Sequence, residues 1–376
     1  MKLTKFLKID KGLFFSLVCF FVISLITICS AQKLLPSYLQ TLVIKQAIWY
    51  ITGFILAFFI MYIGNNFIYK NIWWLYGFGI LTLIGLLLFA KPIHESKCWF
   101  SIPGIGAVQP SEFMKIILII TLGVLINKFN EKHPNPTIKA EFLFLLKIGV
   151  VVFIPSILTF LQPDTGVVLI YLLITITMLF ISGIRLRWFI ILGSIIVLLI
   201  GTIVGIYLLN TDLFIKIFGT SFFLRIDRLL DWSNASGYQL ENGITAIGSG
   251  GLFGYGFNHT PIYFPEPQTD FIFAVFSNNV GLVGSIILLI LIAYFDIKLI
   301  LLANKTSSKT NKYIIAGIVG MLLYQQIQNI GMTIGLLPIT GITLPFICYG
   351  GSSLLSYMIM MGIIFNISKE TINFKN

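Results

Sequence analysis

Ten stretches of the chain are apolar for long enough to cross a bilayer, and short polar or basic segments separate them. They run roughly over 12–30, 46–65, 72–90, 112–127, 142–160, 165–182, 188–209, 271–297, 313–334 and 349–368. A helix needs about 20 apolar residues to span the hydrocarbon core, where each backbone amide and carbonyl must be satisfied within the segment. The expected fold is an all-α integral membrane protein of about ten transmembrane helices, a single polytopic domain over residues 1–376. The longest polar interval, about 210–270, falls between the seventh and eighth helices and is rich in Gly, Pro and polar residues. A connection of that length is usually functional or disordered, and the aromatic and charged residues grouped here favour function.

Charge gives the expected orientation. With the N-terminus inside, about 16 Lys and Arg fall on the cytoplasmic side, from Lys2 to Lys375, and about 7 on the outer side. That asymmetry fits positive-inside, with both termini cytoplasmic. Glu95, Asp212, Asp227, Asp231, Glu241, Glu266 and Asp270 then lie outside, and the 210–270 interval is extracellular. The basic start, Met1 to Lys11, precedes an apolar run longer than the ~7–15 residues of a signal-peptide core, so it reads as an uncleaved first helix.

Composition agrees. The chain is 57% hydrophobic and 10% charged, with a mean hydropathy of +0.96, whereas soluble domains carry about 25% charged residues. The net charge of +11 is spread over short loops, which points to topology and anionic lipid headgroups rather than nucleic acid. Cys19, Cys29, Cys98 and Cys348 form no disulfide framework and no C-x-x-C, and His94, His133 and His259 are scattered. The cluster Gly248–Gly256 lacks the P-loop sequence and reads as a tight turn at the membrane edge.

Three places hold candidate chemistry. In Gln109-Pro110-Ser111-Glu112-Phe113-Met114-Lys115, proline suits a helix start, and Glu112 and Lys115 share a face three residues apart. Charges at that depth face the interior with a partner, as a structural pair or beside an anionic substrate. In Gln162-Pro163-Asp164-Thr165-Gly166, Asp164 either caps the following helix or serves a substrate or proton. In Phe264-Pro265-Glu266-Pro267-Gln268-Thr269-Asp270-Phe271, Asp270 stands where the long outer segment enters a helix, with Glu266 nearby. A capping role is open there too.

With Gly237–Gly256 and the run from Asn329-Ile330-Gly331-Met332 through Gly335–Phe346 to Tyr349-Gly350-Gly351-Ser352-Ser353, these blocks resemble the SEDS family (shape, elongation, division and sporulation) over nearly the whole chain. The Asn-Ile-Gly-Met opening leans toward the elongation branch. The resemblance implies a ten-helix bundle and a peptidoglycan glycosyltransferase. Its substrates would be lipid II, a disaccharide-pentapeptide on undecaprenyl pyrophosphate, and the nascent glycan strand. A class B penicillin-binding transpeptidase, the elongation machinery and membrane lipids would be its partners. The family's catalytic aspartate falls on Asp270. Glu112, Lys115, Asp164, Arg225, Arg228, Glu266 and Gln268 are the expected substrate-binding residues, with Lys115, Arg225 or Arg228 set to neutralise the leaving pyrophosphate. A divalent cation (Mg or Mn) could share that task, although no ligand set is evident. The chain departs from the family where Gln268 replaces a usual His, Asn278 and Asn279 a usual acidic pair, and Cys348 a usual Ser. A lipid II flippase or another polytopic transporter is the rival reading, since prolines at Pro110 and Pro163 beside buried charges are transporter-like.

Overall fold

The computed structural model describes residues 9–36, 39–90, 97–102, 106–220, 222–223 and 237–373. Among the described residues, ten helices of 17 residues or more occupy the ten apolar runs: α1 Lys11–Gln32, α2 Leu42–Ile63, α4 Ile72–Phe89, α5 Pro110–Lys132, α6 Ile138–Phe160, α7 Thr165–Ile181, α8 Leu186–Leu209, α11 Ile272–Lys305, α12 Lys309–Thr333 and α13 Gly351–Asn373. Between them lie the short helices α3 (Asn65–Lys70), α9 (Thr211–Phe218) and α10 (Tyr238–Ser249). A small antiparallel hairpin pairs β1 (Phe100–Ile102) with β2 (Gly106–Val108), placing Phe100 opposite Val108.

Seven of the long helices are apolar and long enough by themselves to cross a membrane, and α7 is a shorter apolar helix. The remaining two, α5 and α12, lie in the interior of the bundle, together with α13, whose span is 83% buried. Their polar residues are buried: Ser111, Glu112, Lys115 and Thr121 on α5, and Gln325, Gln326, Gln328 and Asn329 on α12. In hydrocarbon such groups must find partners within the protein, so the more polar helices pack centrally. The opposite extreme is α8, which has no buried residue at all.

Asp10 caps α1 by accepting from Gly12 N (2.8 Å) and Leu13 N (3.0 Å). Its own amide donates to Ser368 Oγ (2.9 Å), so the start of α1 and the last turns of α13 meet at one end of the bundle. Asn311, near the start of α12, donates to Glu370 at the same end (3.3 Å). At the other end the chain between α12 and α13 folds inward. Its carbonyls find donors on α1 and α2: Ser24 Oγ to Ile347 O (2.8 Å), Gln46 Nε2 to Cys348 O (3.2 Å), and Tyr50 OH to Phe346 O.

The described parts of the 210–270 interval are not all loop. They contain α9 and α10, and α10 packs against α11 so closely that a Cβ on Gly243 would stand 2.6 Å from the Phe271 ring. The glycine cluster lies on a break in α11, where Gly281 has φ +67°. Tyr255 N and Gly256 N donate to Asn278 O (3.0 Å) and Asn279 O (2.9 Å), while Leu282 N donates back to Gly251 O (2.9 Å). The turn expected from the glycines is present, and its purpose is to pair with a broken helix.

Candidate active site

Asp270 is presented by a tight turn. Glu266, between Pro265 and Pro267, adopts a left-handed backbone (φ +52°). Its carbonyl accepts from Thr269 N and Phe271 N, each at 3.3 Å. Its carboxylate accepts from Gln268 Nε2 (2.9 Å) and Thr269 Oγ1 (3.0 Å). Phe271, fully buried against Phe264 with ring centroids 6.1 Å apart, anchors the turn to the top of α11. Asp270 offers no side-chain cap to α11, so the capping alternative does not hold for it.

A second segment locks this turn from behind. Asn329 on α12, completely buried, donates from Nδ2 to Asp270 O (3.0 Å) and to Ile342 O (2.8 Å). Cys348 Sγ donates to Thr269 O (2.8 Å) and accepts from Leu344 N (2.9 Å). Tyr349 N donates to Gln268 O (2.9 Å). Gly341, at φ +70°, comes close enough that a Cβ would lie 3.8 Å from Asp270 Oδ2. Asn329 of the Asn-Ile-Gly-Met block and Tyr349 of the Tyr-Gly-Gly-Ser-Ser block thus both hold the Asp270 turn.

The facing wall is built from α5 and α7. Asp164 does cap α7, accepting from Val167 N (3.2 Å). Its other oxygen accepts from Gln109 Nε2 (2.7 Å) and Ser111 Oγ (3.4 Å). Gln109 N in turn donates to Ser352 Oγ (2.9 Å), which ties this wall to the start of α13. Glu112 and Lys115 form an ion pair at 2.8 Å. Lys115 is fully buried, with its ammonium 5.5 Å from the centre of the Tyr357 ring.

These elements enclose one cavity of about 930 Å³. Asp270, Glu266, Asp164 and Glu112 all line it, as do Gln109, Gly341 and Ser352. Because α13 begins at its rim and its last turns lie beside Asp10, the cavity lies at the end of the bundle opposite the joined ends of α1 and α13. Burial, and then the nearby Glu266 charge, push the Asp270 carboxyl up to about 6. Burial likewise raises Asp164, against the hydrogen bonds it accepts. The half-buried Asp270 can therefore give and take a proton near neutrality.

Several expectations change. Lys115 does not line the cavity; its charge is taken up by Glu112 beneath the wall. Gln268 turns to Glu266 instead of the cavity and serves the turn. Arg225 and Arg228 lie outside the described residues. The amides at the positions of the usual acidic pair are structural. Asn278 donates to Ala246 O (2.7 Å) and Asn279 accepts from Thr260 Oγ1 (3.0 Å), joining the broken helix to its glycine-rich partner. Sequence reasoning passed over Lys45, which lines the cavity from the first turn of α2, because a lysine at a helix start reads as a topology signal. Among the described residues no group of three or more His, Cys, Asp or Glu could hold a metal ion.

A model of the FtsW/RodA/SpoVE cell cycle proteins matches residues 8–373. The chain belongs to this family. A probable peptidoglycan glycosyltransferase FtsW of Coxiella burnetii is 33% identical over 81% of this chain and 80% of its own length. The stage V sporulation protein E of Bacillus subtilis is 34% identical over 73% of this chain and 72% of its own. Among solved structures, a chain of a peptidoglycan synthase complex, described for its coordination of polymerization and crosslinking, superposes with a TM-score of 0.78 at 25% identity. That match covers 97% of this chain and 99% of the other. The rod shape determining protein RodA of Thermus thermophilus shares the fold at a TM-score of 0.69, over 97% of this chain and 98% of its own. Family and fold agree on a multi-pass helical membrane protein.

Proposed function

We propose that this membrane protein is a peptidoglycan glycosyltransferase that polymerises lipid II, with Asp270 as the general base. The observation that carries the reading is the Asp270 turn, clamped by the family's own signature residues at the mouth of a cavity large enough for sugars. An acceptor sugar hydroxyl gives its proton to the Asp270 carboxylate as its oxygen forms a bond to the donor's anomeric carbon. The bond from that carbon to the phosphate oxygen breaks, and undecaprenyl pyrophosphate leaves with the electron pair. A single in-line displacement inverts the anomeric centre. General-base help of this kind contributes about 10²–10⁴-fold. Gln109 and Asp164 in the facing wall, and Ser352 at the start of α13, offer donors and acceptors to sugar hydroxyls.

The orientation that suits this chemistry places both termini in the cytoplasm and the cavity at the outer face, where lipid-linked donor and growing strand meet. The glycosyltransferase name of the C. burnetii relative and the synthase complex sharing the fold support the activity and a crosslinking transpeptidase as partner. The Asn329–Met332 sequence favours a role in elongation, as in rod shape determination, over division or sporulation. Purified protein given lipid II in detergent should produce glycan polymer. Movement of lipid II across vesicles with no polymer formed would establish the transporter reading instead.

A further inference from the structure

Four carboxylates line the cavity, and a donor that enters it brings a diphosphate. Unless a cation meets that diphosphate, the acids repel it and the departing charge has no counterpart. Lys115 is committed to Glu112. Among the described residues Lys45 is the basic side chain lining the cavity, and no described carboxylate lies within ion-pair distance of it. Its position is well fixed. The next residue, Gln46, is completely buried and joins α2 to the segment leading into α13: Nε2 donates to Ser24 Oγ (3.1 Å) and Cys348 O (3.2 Å), and Oε1 accepts from Gly350 N (3.4 Å). One turn on, Trp49 also lines the cavity and packs on Gly351, where a Cβ would stand 2.8 Å from the indole. Lys45 is therefore held beside the start of α13, exposed at the rim, with a flexible stem ending in an unpaired ammonium.

We infer that Lys45 is the cation that binds the diphosphate of the lipid-linked donor and stabilises it as the leaving group. The inference rests on the glycosyltransferase reading for the identity of the ligand. Binding alone can test it, without turnover. Lipid II affinity should fall by about 10- to 100-fold in Lys45→Met, the range for loss of a charge-assisted hydrogen bond, both with Asp270 present and in Asp270→Asn. Lys45→Arg, which keeps the charge, should stay within about threefold of wild type. In wild type, undecaprenyl diphosphate should compete with lipid II better than undecaprenol does, and Lys45→Met should erase that advantage. Higher salt should weaken wild-type binding and leave Lys45→Met nearly unaffected. An undiminished diphosphate advantage in Lys45→Met, or an equal loss in Lys45→Arg, would overturn the assignment. If binding follows this course but wild type makes no polymer, the diphosphate site stands and the polymerase reading falls.

Discussion

Asp270 and Glu266 are four residues apart, and their coupling sets how the proposed base responds to pH. Asp270 titrates at about 6, with burial the larger cause and the Glu266 charge the smaller. A base must be ionised to act, so kcat/KM should rise as pH increases through about 6 and level off above it. Glu266→Gln removes the neighbouring charge and should move that limb to lower pH, without returning it to the ordinary carboxylate range because burial persists. A limb that stays in place in Glu266→Gln would separate the two residues. Asn329 offers a second check. Asn329→Leu leaves two carbonyls without their donor, each at a cost of about 1–3 kcal/mol when buried, so melting temperature and polymerisation should both drop. Unchanged values would show that the turn holds without it. The acid at 270 is legible in the sequence because it sits in a short motif. The clamp is not, since Asn329 reaches a carbonyl 59 residues away and nothing in local spacing announces such a contact. Lys115 misleads for the same reason: spacing places it beside Glu112 but not behind the wall.

At the scale of elements, the apolar runs lie where the helices lie, because membrane helices announce themselves by length and hydropathy alone. Helix α10 goes unread, although Leu240, Gly243 and Ala246 recur on one face, because it is 12 residues long and interrupted by Gln239, Glu241 and Asn242. The purpose of the glycine cluster is also hidden until α11 is seen to break at Gly281. A Cβ at Gly254 would stand 2.2 Å from Asn279 O, and one at Gly281 2.5 Å from Gly254 N. Both are backbone contacts at positive φ, so Gly254→Ala and Gly281→Ala should sharply lower the melting temperature. Gly248→Ala, within α10 and with nothing inside 4 Å, should leave it unchanged or slightly higher. Equal tolerance at all three positions would remove the close pairing of these segments.

For the whole molecule, the joined ends of α1 and α13 and the cavity at the far end divide the bundle into two faces. In the proposed orientation the termini are cytoplasmic, and with them the α11–α12 connection. In a cysteine-free background, an impermeant thiol reagent on intact cells should label a cysteine at exposed His259 and spare one at exposed Ser307. The reverse would turn the cavity toward the cytoplasm, where lipid II is not polymerised in this scheme. The most direct measurement compares wild type with Asp270→Asn in lipid II polymerisation, with lipid II binding measured alongside. Asn keeps the size of Asp and cannot accept the proton, so polymerisation should fall by about 10²-fold or more while binding stays near wild type. A folded Asp270→Asn protein that polymerises lipid II at the wild-type rate would contradict the assignment of Asp270 as the base.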